Sequence, residues 1–128
     1  MSKQKLNWKK KPESEDYAGA LQFLMLNYPD SRARQLLRGL AKAKNIEHAA
    51  KDLLRASNLP LLPREEAHVE EDLTKIRKGK SLAPVLLIRG DMTRGIPLIL
   101  ADAYHRICAI CYYDENAPIP CRLVSAPK

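Results

Sequence analysis

Three segments in the first half of the chain place apolar residues three or four positions apart, which is the spacing of one helix face. In the first segment these positions are Tyr17, Ala20, Leu21, Leu24 and Tyr28. In the second they are Ala33, Leu36, Leu37 and Leu40, and in the third Ile46, Ala49, Ala50, Leu53 and Leu54. The pattern predicts helices over 15–28, 31–43 and 46–57, with Asp30 and Asn45 as N-caps of the second and third.

The pattern changes after Asn58, where prolines hold 59–63 extended. A further helix is predicted over 69–78 and ends at Gly79. Unbroken apolar runs then predict strands over 85–89 and 97–101, separated by a turn at 90–95. A last strand is predicted over 120–124. Helical spacing returns over 103–113, where the predicted core positions are Ile107, Ile110 and Cys111.

These elements predict an α/β (α+β) fold with a small mixed sheet and packed helices. A three-helix extension over 13–58 precedes an α/β domain over 59–128, and 1–12 form a flexible basic tail with Trp8 as its only anchor. Because 128 residues suit one domain, we expect the extension and the α/β domain to form one compact unit.

The composition is that of a globular protein, with 45% hydrophobic and 29% charged residues. The longest apolar runs, such as 85–88, are far too short to span a membrane, so no membrane association is predicted. The three cysteines, an odd number without framework spacing, favour reduced thiols and a cytoplasmic location.

The net charge is +7, and most of the basic excess lies in the tail and the first helices. Arg34, Arg38 and Lys42 recur every fourth residue on the second helix, opposite its apolar face. With the basic tail, this face offers a nucleic-acid-binding surface for a non-catalytic or regulatory protein. A solvated outer face explains the same pattern equally well.

The most distinctive chemistry lies where the strand over 97–101 turns directly into the next helix. The turn reads Asp102, Ala103, Tyr104, His105 and Arg106. Free backbone N–H groups at a helix N-terminus favour an anion, and an arginine there can hold phosphate. His105 can transfer a proton, and Asp102 can hold a metal or orient the histidine. In the competing interpretation, Asp102 only caps the helix and Arg106 pairs with a surface acid.

Other candidate sites near this turn carry less weight. His105, Cys108, Cys111 and Cys121 offer four zinc-type side chains, but three of them lie along one amphipathic helix, so no metal site is predicted. His48 and His68 are isolated in the sequence and are expected at the surface. Tyr104 can stack on a base or simply cover the edge of the core.

The order of elements after Asn58 carries a Gly-x-x-Leu-x-Pro motif (Gly79, Leu82, Pro84) and a last strand with Ile119, Pro120, Arg122 and Val124. Over about 59–124 the chain resembles the ParB/sulfiredoxin superfamily. Members bind nucleotide phosphates at the turn before the helix, where partition proteins have Gly-Glu-Arg-Arg and sulfiredoxins have Gly-Gly-Cys-His-Arg. By this resemblance Ala103 takes the place of the second glycine and Tyr104 that of the cysteine, while His105 and Arg106 match directly. Asp102 is similar to the acid in the turn of free-serine kinases.

The resemblance implies a nucleotide or phosphate pocket in which Ala103, Tyr104, His105 and Arg106 contact the phosphates and Asp102 and His105 are catalytic. ATP or CTP with magnesium is the implied cofactor, and a nucleotide or a phosphorylated small molecule the implied partner. Tyr104 in place of cysteine argues against sulfinic-acid reduction, and no DNA-reading helix-turn-helix follows. Whether the protein is an enzyme stays open. Because the guanidinium is expected to project from the first helical turn, Arg106→Ala should remove binding without disturbing the fold.

Overall fold

A four-stranded mixed sheet forms the centre of the protein in the computed structural model, which describes residues 5–126. Its strands are β1 (Ile46–Ala49), β2 (Val85–Arg89), β3 (Ile99–Asp102) and β4 (Pro118–Ser125), in the order β1-β4-β2-β3. Strand β2 runs parallel to β4, whereas the β1–β4 and β2–β3 pairs are antiparallel. With five α-helices in the described residues, the fold is α+β, as the sequence predicts.

Helices cover the sheet on both faces. The helices α1 (Ser14–Asn27) and α2 (Asp30–Lys42) pack on one face, and α3 (Ala50–Ser57), α4 (Ala67–Arg77) and α5 (Tyr104–Asp114) lie on the other. Along β2, Leu86 and Ile88 join the core under α1 and α2, whereas Val85 and Leu87 join the core under the other three helices. Because both faces of this strand are buried, its sequence is continuously apolar rather than alternating.

The three predicted strands share one sheet, but β1 was not predicted. The helix expected over 46–57 is wrong in its first turn, since residues 46–49 pair with β4 and the helix starts only at Ala50. Strand β1 lies at the sheet edge with three of its four residues exposed, so it shows no alternating apolar pattern. Its Ile46 and Ala49 also continue the apolar spacing of α3, so the sequence pattern predicts a helix where the strand lies.

Three predictions about helix starts and the tail also need correction. Asp30 is the first residue of α2 rather than its cap, because Pro29 occupies the N-cap position. Asn45 caps no helix, since its side chain donates to Lys10 O and accepts from Arg122. Part of the tail expected to be flexible is held, because Leu82 exchanges backbone hydrogen bonds with residues 7 and 9 on either side of Trp8. Residues 1–4 of that tail lie outside the described residues.

Arg122 is a buried cation that joins two layers. Only 7% of the residue is exposed, and its guanidinium donates to Ala41 O at 2.9 Å and to Asn45 Oδ1 at 3.0 Å. Carbonyl groups in the last turn of a helix lack partners within the helix, and a cation there also suits the helix dipole. Arg122 therefore ties the end of α2 to the centre of β4.

Candidate functional site

The turn between β3 and α5 has an unusual backbone. Ala103 occupies the N-cap position of α5 with φ 82° and ψ 27°, in the left-handed region that alanine rarely adopts. No side chain caps this helix end, so the interpretation of Asp102 as a helix cap is wrong. The first turn of α5 thus presents backbone N–H groups without a side-chain acceptor at its N-cap.

A cavity of about 180 Å³ opens at this turn. It is lined by His68, Glu71, Asp72, Asp102, Ala103, His105 and Arg106. The structure therefore brings together four of the five residues predicted from the turn. The cavity is smaller than the roughly 300–1,000 Å³ of sites that enclose a drug-sized ligand. It suits a phosphate-sized group, with any attached nucleoside lying outside.

Arg106 does not project freely, which corrects the expectation drawn from the sequence. Its Nη2 lies 3.0 Å from Asp16 Oδ1 of α1, and its Nη1 donates to Ala83 O at 2.9 Å. The two side chains of this ion pair are only 16% and 11% exposed. Removing one partner of a buried pair typically costs about 3–5 kcal/mol, so Arg106 supports the fold as well as lining the cavity.

Asp102 and Asp16 form a carboxyl–carboxyl pair next to that arginine. Burial raises the pKa of Asp102 to about 7, and the neighbouring Asp16 adds to the rise. Burial also acts to raise the pKa of Asp16, but hydrogen bonds from the Glu13 backbone and from Asp102, together with the Arg106 charge, outweigh it and lower that pKa. Of the two carboxyls, Asp102 therefore holds its proton to the higher pH.

One oxygen of Asp102 stands out within residues 5–126, because its Oδ2 is buried without a hydrogen-bond partner. Buried acceptors of this kind are rare, and each one suggests a strained or functional position. The lining residues Glu71 and Asp72 bring further carboxylates to the cavity, and burial raises the pKa of Asp72. A phosphate in this cavity would need a cation or a proton to offset their charge.

The structure also brings His68 and Glu66 to this site, although the sequence indicated neither as a site residue. His68 is not isolated, since its ring centroid lies 4.7 Å from that of His105. Glu66 is hydrogen-bonded to one histidine and close to the other, with Oε1 at 2.9 Å from His68 Nδ1 and Oε2 at 3.8 Å from His105 Nε2. The sequence near the start of α4 does not indicate that Glu66 and His68 lie beside α5.

Tyr104 is turned away from the cavity. Its hydroxyl donates to Pro60 O, and that of Tyr112 donates to Leu62 O at 2.6 Å. The two tyrosines thus fasten the extended 59–63 segment to α5. Stacking of Tyr104 on a base would require this contact to open.

The cysteines and the basic helix face lie apart from these groups. Cys108 and Cys121 are buried, and burial raises the pKa of Cys111 to about 11.

A larger groove of about 540 Å³ beside Cys111 is lined mainly by α3 and the 59–61 segment. It lies away from the turn and is less relevant, because the paired carboxylates and both close histidines lie at the smaller cavity. Arg34, Arg38 and Lys42 are exposed along α2.

No protein-family model, no curated protein and no solved structure matches this chain. The resemblance to the ParB/sulfiredoxin superfamily therefore stays a prediction. Within residues 5–126, no helix is both long and apolar enough to cross a membrane.

Proposed function

We propose that the cavity at the start of α5 binds the phosphate group of a nucleotide or a phosphorylated small molecule. The observation that carries the proposal is the cavity itself, which places Asp102, Ala103, His105 and Arg106 around an α5 end without a side-chain cap. Backbone N–H groups at such an end attract anions. Arg106 also lines the cavity, with its charge offset by Asp16. ATP and CTP are the ligands to test first.

Magnesium fits the acidic part of the same lining. Mg²⁺ is commonly bound by one or two carboxylates together with substrate phosphate oxygens. Asp72 and Asp102 would supply the carboxylates, and the unpartnered Asp102 Oδ2 is an acceptor suited to a cation. The ion would offset the repulsion between these groups and a phosphate.

While no metal ion is bound to them, proton transfer is the chemistry that we assign to Asp102 and His105 in this cavity. A group that titrates near the working pH exchanges protons best, and the pKa of Asp102 is about 7. Cys108, Cys111 and Cys121 are free thiols, which agrees with a cytoplasmic setting for this activity.

Calorimetric titration with ATP, CTP and pyrophosphate, with magnesium or with EDTA, tests the proposal. Asp102→Asn should weaken magnesium-dependent binding by roughly 10- to 150-fold, the value of a charge-assisted contact of about 1.5–3 kcal/mol. Asp52→Asn, on α3, is the matched control and should bind like the wild type, because the Asp52 side chain is 45% exposed and pairs with Arg55. Arg106→Ala is a poor probe, because it leaves Asp16 buried without its partner.

The same titration can also disprove the proposal. The proposal fails when the wild-type protein binds none of these ligands at millimolar concentration with or without magnesium. If the wild-type protein does bind a ligand, turnover assays under the same conditions distinguish an enzyme from a binding protein. An enzyme should release product with the wild type and none with Asp102→Asn.

The exposed basic face of α2 supports a second candidate function, nucleic-acid binding. Arg34, Arg38 and Lys42 line one side of the helix, and Ala33, Leu36 and Leu40 are buried on the other. Such binding should weaken steeply with salt, and Arg38→Ala should reduce the slope of log affinity against log salt by about one. Fluorescence anisotropy with a labelled oligonucleotide at several salt concentrations measures both effects. Binding that is insensitive to Arg38→Ala would exclude this face.

A further inference from the structure

Three side chains from two helices converge at the outer edge of the cavity. Glu66 is the N-cap residue of α4, His68 lies in the first turn of α4, and His105 lies in the first turn of α5. One ligand atom from each lies within 4.8 Å of the other two. Around a tetrahedral zinc ion with bonds of about 2.0–2.2 Å, ligand atoms stand roughly 3.3 Å apart, so small side-chain rotations would close the set.

The carboxylate between the histidines is held in place by backbone groups. Glu66 Oε2 accepts from His68 N and from Val69 N, both at 3.0 Å. The packing of α4 against α5 holds the two helix ends together, with Val69 and Ile107 fully buried in the same core. A carboxylate oriented by fixed donors is the kind of support that metal ligands typically have.

We propose that Glu66, His68 and His105 form a binding site for a divalent transition-metal ion, best matched by Zn²⁺. Two imidazoles and one carboxylate suit zinc, whereas Mg²⁺ and Ca²⁺ prefer oxygen ligands alone. Three protein ligands leave a fourth position for water or substrate, which is typical of catalytic rather than structural zinc.

The site is open on its outer side. The side chains of His68 and His105 are 67% and 43% exposed, so an ion can enter from solvent. Both histidines also line the 180 Å³ cavity, so a bound ion would lie at its edge. The ion would carry positive charge to the edge of a cavity that contains Glu71, Asp72 and Asp102. Zinc binding does not depend on the phosphate proposal, because the metal alone is the ligand.

Titration of the untagged full chain with Zn²⁺ alone tests the site, and the third histidine provides a matched control. His48 is exposed on β1, away from the cluster. We expect one Zn²⁺ per chain for the wild type and for His48→Ala. His68→Ala and His105→Ala should each weaken binding at least about 10-fold, because loss of a direct ligand costs no less than loss of a supporting group. Mg²⁺ should not compete.

Two further measurements keep the test decisive. Circular dichroism establishes that the histidine variants are folded, and Glu66→Gln, which retains an oxygen for capping, should also weaken Zn²⁺ binding. Absorption of the Co²⁺-loaded protein distinguishes nitrogen and oxygen ligands from a cysteine thiolate. The proposal is overturned by absence of Zn²⁺ binding, by equal loss in His48→Ala, by a loss in only one of the other two histidine variants, or by a thiolate–cobalt band.

Discussion

At the scale of single residues, the most consequential contact is the one between Asp16 and Asp102. It places a carboxyl with a pKa of about 7 beside an ion pair that joins α1 to α5. The position is tightly packed, since a Cβ added at Gly19 would lie 3.3 Å from Asp102 Oδ1. The same carboxyl is thus central both to the stability of the fold and to the proposed site.

The raised pKa of Asp102 predicts a specific loss of stability with rising pH. Between its ordinary value of 3.8 and about 7, the folded state holds a proton that the unfolded state releases. The stabilising contribution is therefore complete below pH 3.8 and is lost as pH rises through 7. Asp102→Asn removes this dependence. Above pH 7 the variant should be more stable than the wild type by at least about 1 kcal/mol, because the amide carries no charge to be desolvated or to repel Asp16.

Urea unfolding at pH 5, 6, 7 and 8 measures the difference between variant and wild type at each pH. Subtraction removes the titration of the groups that do not interact with Asp102, so the difference reports on Asp102 and its partner Asp16. Asp52→Asn serves again as the control and should give a flat difference. A flat difference for Asp102→Asn would show that this carboxyl is charged throughout the range.

At the scale of elements, α5 begins at a strained residue. Left-handed backbone costs alanine about 1–2 kcal/mol, and glycine is free of this cost. Strained positions that survive in a fold often serve a binding or catalytic site. Here the strained residue turns the chain from β3 into α5 and lines the cavity.

Replacing Ala103 with glycine should therefore stabilise the protein, by up to about 1 kcal/mol after the loss of one half-buried methyl group. Ala109→Gly provides a contrast in the interior of the same helix, where it should destabilise by at least about 1 kcal/mol. Thermal unfolding of the two variants measures both effects. Destabilisation by Ala103→Gly of the same size as that by Ala109→Gly would contradict strain at the turn.

At the scale of the whole molecule, the two helical layers share one sheet. Leu86 and Leu87 are neighbours on β2 and are buried in opposite cores. Trp8, the only tryptophan, packs against the core under α3, α4 and α5. Its fluorescence therefore reports on the layer opposite α1 and α2.

Unfolding should be cooperative across both layers. Leu86→Ala, made in the core under α1 and α2, should cost about 2–5 kcal/mol. It should shift the midpoint of Trp8 fluorescence together with that of far-UV circular dichroism. Leu26→Ala, at a residue that is 86% exposed, should shift neither. An unchanged Trp8 midpoint in Leu86→Ala would reveal two independent units.

The local pattern of the sequence was sufficient for most elements. The apolar spacing predicted α1, α2, α4 and α5 to within a few residues, and the run over 85–89 matches β2. It succeeded because each of these helices buries one face, which leaves a helical period in the sequence. Strand β2 buries both faces and therefore reads as a continuous apolar run. The turn from β3 into α5 was predicted because it lies where the apolar run of the strand ends and the helical spacing of α5 begins.

Only the tertiary structure decided which side chains meet at that turn. The contacts of Asp16 with Asp102, and of Glu66 and His68 with His105, join residues far apart in the chain, and no periodicity encodes such pairs. The exposed edge strand β1 was missed because a strand without a buried face leaves no alternating pattern. From the sequence, Arg106 is either a phosphate contact or the partner of a surface acid. Its role in holding α1 emerges only once packing brings its Nη2 within 3.0 Å of Asp16 Oδ1.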